Sequence, residues 1–268
     1  MNLEELESKK ALVRFDYNVP MDNGEIVNDF RIRKSLQTIK MLLDNNNKII
    51  IASHLGRPTE GEREKELSLE PICKYLSTVL NKRIKFFTNL SAVIDFEGYD
   101  VAMLENMRFN VGEKICDPKL SKTLASLADV FVFDAFGVSH RKECSTYGVA
   151  DFIDVIPGLN IKHEITTINR LINEVSRPMT IIISGSKVST KLALIRKLLN
   201  RCDNMILGGG ILNTFLKAKG CEVGKSLTES TFLDEAADIL DSSLGSKIFL
   251  PSDLTLSLIH ISEPTRRR

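Results

Sequence analysis

Apolar residues fall in short, β-branched runs that are continuous rather than alternating, at 11–15, 48–53, 83–87, 100–104, 129–133, 179–184, 204–207 and 247–250. Continuous runs suit strands covered on both faces, the condition of a parallel sheet. Between many of them the period changes to that of a helix. In 31–45 the residues Ile32, Leu36, Ile39, Leu42 and Leu43 form one stripe, and 69–80, 119–128, 188–200, 211–219 and 232–242 repeat the pattern. Ser68 is placed to cap the second helix, with Pro71 in its first turn. Strands alternating with helices predict a mostly parallel α/β sheet.

A break falls at Pro157-Gly158, after which Leu159, Ile165, Ile168 and Leu171-Ile172 mark a helix to about 174, and Arg177-Pro178 introduces a new strand. The division expected is a first domain at 1–156, an interdomain helix at 157–175 and a second domain at 176–255. The final stretch, 256–268, reads as the conceptual translation of a sequencing-library adapter, a non-native tail to be left out of fold reasoning.

Composition narrows the function classes. The chain has 268 residues, 36 Lys+Arg against 35 Asp+Glu, and 43% hydrophobic residues, the balance of an ordinary globular protein of about two domains. Near-neutral charge, no basic helix and no aromatic platform argue against a nucleic-acid partner. No apolar run approaches the ~18 residues of a membrane span, and the polar start MNLEELESKK is no signal peptide. Cys73, Cys116, Cys144, Cys202 and Cys221 are scattered without a CxxC pair, which fits a reducing, cytoplasmic setting and argues against zinc.

Chemistry gathers just past the predicted strands: Asp16, Asn18, His54, Arg57, Arg108 and Arg141, with Arg31 at a helix start. In open parallel sheets that edge is where ligands bind. Guanidinium forks suit phosphate and carboxylate oxygens, so several on one rim imply a small, multiply charged anion. In the second half, Gly185-Ser186-Lys187-Val188-Ser189-Thr190-Lys191 lies between a strand and a helix, a turn that offers backbone amides to phosphate. Lys187 and Lys191, four apart, are expected on one helical side. Gly208, Gly209 and Gly210 follow the next strand and permit close backbone approach. There is no GxGxxG fingerprint, which counts against a nicotinamide-dependent dehydrogenase.

In order and spacing, LVRFDYNVP (12–20), ASHLGRP (52–58), LENMRF (104–109), DAFGVSHR (134–141), GSKVSTK (185–191) and GGG (208–210) resemble the motifs of phosphoglycerate kinases, the bacterial type above all. The resemblance implies two Rossmann-like three-layer αβα domains with parallel sheets, the second incomplete, and reversible phosphoryl transfer in glycolysis between 1,3-bisphosphoglycerate and ADP, giving 3-phosphoglycerate and ATP. It implies that Asp16, Tyr17, Asn18, Arg31, His54, Leu55, Gly56, Arg57, Arg108 and Arg141 hold the glycerate substrate. Gly185, Lys187, Lys191, Gly208, Gly209 and Gly210 would hold the nucleotide, and Arg31 and Lys187 would stabilise the moving phosphoryl group. Mg²⁺ would arrive with ATP or ADP, no protein metal site is implied, and a monomer is expected. The sequence departs from the family pattern at Ser184, where a glycine is common, at Val138-Ser139, and at Phe133. The family's second glycine-rich nucleotide loop would lie beyond Thr255, so this chain is expected to catalyse barely, if at all. A non-catalytic module for small phosphorylated anions is the competing reading.

Overall fold

The computed structural model describes residues 2–90, 96–251 and 253; the proposed adapter-like tail at 256–268 lies outside the described residues. The chain divides into two compact units, Met1–Asn169 and Arg170–Arg268.

In the first unit six strands, β1 (Lys10–Phe15), β4 (Lys48–Ala52), β5 (Ile84–Phe87), β6 (Val101–Leu104), β7 (Val130–Asp134) and β8 (Val155–Pro157), form one sheet in the order β5-β6-β4-β1-β7-β8. All its pairings are parallel. Alternate side chains serve opposite faces. Val13, Phe15, Ile49, Ile51, Val101 and Met103 pack with α1 (Phe30–Asp44) and α2 (Glu70–Leu80). Leu12, Ile50, Ala102, Leu104 and Phe131 pack with α3 (Pro118–Ala125) on the other side. Cover on both faces is why the runs read as continuous. β1 is flanked by β4 and β7, strands reached in opposite directions across the sheet, and such a switch point opens a crevice at the carboxyl ends.

The sequence pattern did not mark three elements: the hairpin β2 (Met21–Asp22) with β3 (Glu25–Ile26), and the edge strand β8, both too short to show a period. The cap of α2 also shifts by one. Leu69 occupies the capping position, while Ser68 Oγ accepts the Glu70 amide at 3.2 Å and donates to Glu105 Oε2 at 2.9 Å. Helix α4 (Leu159–Asn173) begins directly after the Pro157-Gly158 break. Its start is held by Asp134, whose Oδ1 accepts the Ile161 amide at 3.1 Å and whose Oδ2 accepts from Asn160 Nδ2 at 2.8 Å and Thr38 Oγ1 at 2.7 Å. A carboxylate at the first turn also suits the helix dipole.

In the second unit β9 (Thr180–Gly185), β10 (Asn204–Gly208) and β11 (Ile248–Phe249) form a parallel sheet in the order β11-β10-β9. Ile181, Ile183, Met205, Leu207 and Ile248 pack with α5 (Leu192–Leu199), α6 (Gly209–Ala218) and α7 (Leu233–Asp241) in one cluster. The opposite side chains do not share it. Ile182, Ile206 and Phe249 stand in register across the three strands and are 71%, 40% and 55% exposed. Such a row is an apolar patch and an association liability. The double change Ile182→Thr with Ile206→Thr should reduce binding of an apolar fluorescent dye about two-fold or more. It should move Tm by less than ~2 °C, since exposed positions contribute little to stability. Unchanged dye binding would show that this face is not what the dye meets. Among the described residues no helix is long and apolar enough to cross a membrane.

Candidate anion-binding rim and nucleotide loops

Past β1 the chain turns at Asp16-Tyr17-Asn18, and Arg31 reaches back from α1. Its Nη1 donates to Asp16 Oδ2 at 2.8 Å and to the Asn18 carbonyl at 3.1 Å. Asn18 Oδ1 accepts the Gly56 amide at 2.9 Å. Gly56 sits at φ +63, a conformation suited to glycine, and its carbonyl accepts from Arg108 Nη1 at 2.8 Å. Arg108 Nη2 donates to Glu143 Oε1 at 2.7 Å, and Arg141 Nη1 lies 3.6 Å from the same oxygen. An unbroken series of polar contacts thus joins Arg31, Asp16, Asn18, Gly56, Arg108 and Arg141, drawn from the ends of β1, β4, β6 and β7 and the start of α1. Arg57 follows Gly56 directly and is exposed. Residues far apart in sequence meet on one rim, as the strand-end pattern requires.

His54 is held from below. Arg14, fully buried in β1, places Nη2 3.0 Å from His54 Nδ1. A guanidinium only donates, so Nδ1 accepts and the imidazole proton sits on Nε2. Burial first, then the cations Arg14, Arg108, Arg141 and Arg31, push the imidazole down to about 2. The imidazole is therefore uncharged at neutral pH, with its proton on Nε2. Beneath it, Arg14 Nε donates to Ser145 Oγ at 3.0 Å, and Ser145 Oγ donates to the buried Glu113 carboxyl. Burial raises that carboxyl to about 7, against the pull of Ser145 and Arg14.

Two residues of the expected substrate set have buried side chains. Tyr17 is fully buried because i and i+2 share a face. Its ring stacks on Phe15 at 5.5 Å, its hydroxyl meets Ser35 Oγ at 2.8 Å and its amide donates to Ser53 Oγ at 2.9 Å. The Leu55 side chain likewise belongs to the core, and its carbonyl accepts from Asn106 Nδ2 at 2.8 Å. Both side chains pack into the core beneath the rim.

In the second unit β9 runs to Gly185 but α5 begins only at Leu192. Lys187 and Lys191 are therefore not on one helical side: Lys187 is exposed in the intervening turn and Lys191 occupies the capping position. The turn is held by Glu229, whose carboxylate accepts the Ser189 amide and hydroxyl, each at 2.8 Å. The backbone bond, chiefly, lowers its pKa. The glycine triplet has a packing cause. A Cβ on Gly209, at φ +61, would come 2.8 Å from the Gly185 carbonyl oxygen, and one on Gly210 would come 2.4 Å from that of Ser186. The two loops meet there in a parallel bridge between Gly185 and Gly209.

Arg14, Glu113, Glu143 and Glu229 were not among the residues singled out. Arg14 carried a signal, a cation inside the apolar run LVRF. The three glutamates sit in polar segments where one more acid is unremarkable.

Fold and rim together define a class: Rossmann-like α/β proteins whose parallel strands end in a cationic, hydrogen-bonded edge. The family model for phosphoglycerate kinase matches residues 1–266. Phosphoglycerate kinase from Francisella tularensis subsp. holarctica is 44% identical over 256 residues, covering 94% of this chain and 65% of that protein. The enzyme of the same name from Legionella pneumophila is 44% identical over 255 residues, covering 94% and 64%. The structure of phosphoglycerate kinase from Coxiella burnetii superimposes with a TM-score of 0.82 at 39% identity, covering 94% of this chain and 66% of that one. This chain belongs to the phosphoglycerate kinase family, a family of transferases. It spans about 65% of the length of the curated relatives it matches.

Proposed function

We propose that the rim of the first unit binds 3-phosphoglycerate and 1,3-bisphosphoglycerate, and that the loops of the second bind ADP or ATP carrying Mg²⁺. The reaction served is reversible phosphoryl transfer between 1,3-bisphosphoglycerate and ADP. The observation that carries this reading is the set of cations tied together around His54 and Asn18, with hydroxyl and carboxyl acceptors beside them.

The chemistry asks for little more than placement. In the ATP-consuming direction the nucleophile is a carboxylate, ionised at pH 7, so no general base is required. The work left is to bring two anions into line and to neutralise charge on the moving phosphoryl group. Arg31, oriented by Asp16, and Lys187, exposed in its turn, are assigned that stabilisation. Arg57, Arg108 and Arg141 hold the phosphate and carboxylate, and His54 Nε2 donates without adding charge. Residues 1–156 form the substrate domain and 176–255 part of the nucleotide domain in this reading, which takes the protein as a cytoplasmic monomer.

Calorimetry with 3-phosphoglycerate and, separately, with Mg-ADP tests it. Both should bind, and the 268-residue chain by itself should form ATP far more slowly than a full-length relative. Binding of neither ligand refutes the function. Turnover matching a full-length relative refutes only the low activity, and binding of 3-phosphoglycerate without Mg-ADP leaves a non-catalytic anion module.

A further inference from the structure

The rim already contains an anion. Glu143 is 5% exposed and its Oε1 accepts a hydrogen bond from Arg108 Nη2 at 2.7 Å, with Arg141 Nη1 at 3.6 Å. Among the described residues three buried side-chain atoms lack a hydrogen-bond partner, and all belong to this group: Glu143 Oε2, Arg108 Nε and Arg141 Nε. Buried polar atoms are nearly always paired, so three orphans on three neighbouring side chains mark an unfinished arrangement. A guanidinium offers its fork through Nε and Nη together. Here Arg108 uses Nη2 but not Nε, Arg141 stands 3.6 Å away as an ion pair, and the carboxylate between them is itself half satisfied. An incoming phosphate or carboxylate would meet the half-exposed Arg141 guanidinium at a site where a fixed negative charge already sits.

Resting on the anion-binding reading above, we propose that Glu143 is a specificity-determining residue of the rim: a tethered carboxylate that competes with the ligand for Arg108 and Arg141. It weakens binding of every anion, and most strongly binding of the more highly charged ones, because repulsion scales with ligand charge. It also keeps the buried Arg108 guanidinium compensated when no ligand is bound, which otherwise carries a large desolvation penalty.

The test is calorimetry of wild type, Glu143→Gln and Glu143→Asp with 3-phosphoglycerate and with inorganic phosphate, at two salt concentrations. Gln keeps the shape and an acceptor for Arg108 but removes the charge. It should tighten 3-phosphoglycerate binding about ten-fold and make binding more salt-sensitive, since an exposed ligand charge then meets one more uncompensated cation. Asp keeps the charge but draws it back by one methylene, and should tighten binding by less. The Asp variant carries the test alone if Gln fails to fold. Equal or weaker binding in the variants, with wild type binding normally, overturns the competing role and shows that Glu143 instead positions the arginines. Failure of all three proteins to bind 3-phosphoglycerate overturns the anion-binding reading and this inference with it.

Discussion

Replacing Arg14 by methionine should destabilise the first unit by about 3–5 kcal/mol, the usual cost of removing one partner from a buried charge network. For a unit of this size that lowers its melting temperature by roughly 10 °C. The cause is what methionine leaves behind. Arg14 has no exposed surface, and its donors serve Ser145 Oγ at 3.0 Å, His54 Nδ1 at 3.0 Å, Ser53 Oγ at 3.4 Å and the Phe15 carbonyl. Without it the His54 nitrogen and the Ser145–Glu113 pair remain buried without their cation. Burial lowers the Arg14 pKa, and Glu113, Asp16 and Glu143 oppose that fall, Glu113 first. Denaturant melts of Arg14→Met, Glu113→Gln and the double variant separate the network from simple packing. The double variant should be less damaged than the two losses added together, with a coupling above ~1 kcal/mol. Additive losses would mean that Arg14 supports the strand through its bulk alone. The arginine lies directly under the rim, so the same variant should also loosen His54 and weaken 3-phosphoglycerate binding.

What the sequence displayed well is what repeats. Eight apolar runs of parallel-strand character became eight paired strands; in the first unit burial on both faces leaves no polar positions to break a run, and in the second the outer face is apolar although exposed. The rim was legible for a related reason. In a parallel sheet every strand ends on the same edge, so Asp16, His54, Arg57, Arg108 and Arg141 could be gathered before any geometry was known. What stayed hidden depends on third parties. Tyr17 stands in the middle of the Asp16–Asn18 turn, and it points inward because the Phe15 ring and the Ser35 hydroxyl receive it. The register of α5 was misread because its first turn is replaced by one that Glu229, forty residues away, holds in place. The glycine triplet suggests a ligand when read along the chain, whereas its close neighbour in space is the backbone of Gly185 and Ser186. Glu143 and Glu113 gave no signal, since their importance comes from burial and not from type.

The most unusual expectation concerns two buried groups whose pH effects cancel. Glu113 is raised to about 7 in the folded state, against an ordinary carboxyl value of 4.5. The folded protein therefore holds a proton that the unfolded chain has released, and the stability this contributes is complete below about 4.5 and lost as pH rises through about 7. At ~1.4 kcal/mol per pKa unit the full effect is about 3 kcal/mol. His54 works in the opposite sense. Its folded value is lowered to about 2 from 6.5, so between those limits the unfolded chain holds a proton that the folded protein lacks, and stability rises with pH up to about 6.5. Between pH 4.5 and 6.5 the two slopes are equal and opposite, so together these two groups contribute no net pH dependence to the wild type. Each variant should expose the other group. Relative to wild type, Glu113→Gln should gain stability with rising pH by ~1.4 kcal/mol per pH unit across that window. His54→Asn, whose amide oxygen can still accept from Arg14, should lose stability with rising pH at a similar rate. Taking each variant as a difference from wild type removes the surface carboxylates Glu4, Asp29 and Asp100, whose lowered values are common to all three proteins. Guanidinium melts at half-unit steps from pH 4.5 to 7.5 give the slopes. Two flat difference curves would mean that neither group keeps its unusual protonation state, and with it would go the assignment of His54 as an uncharged donor on a rim of arginines.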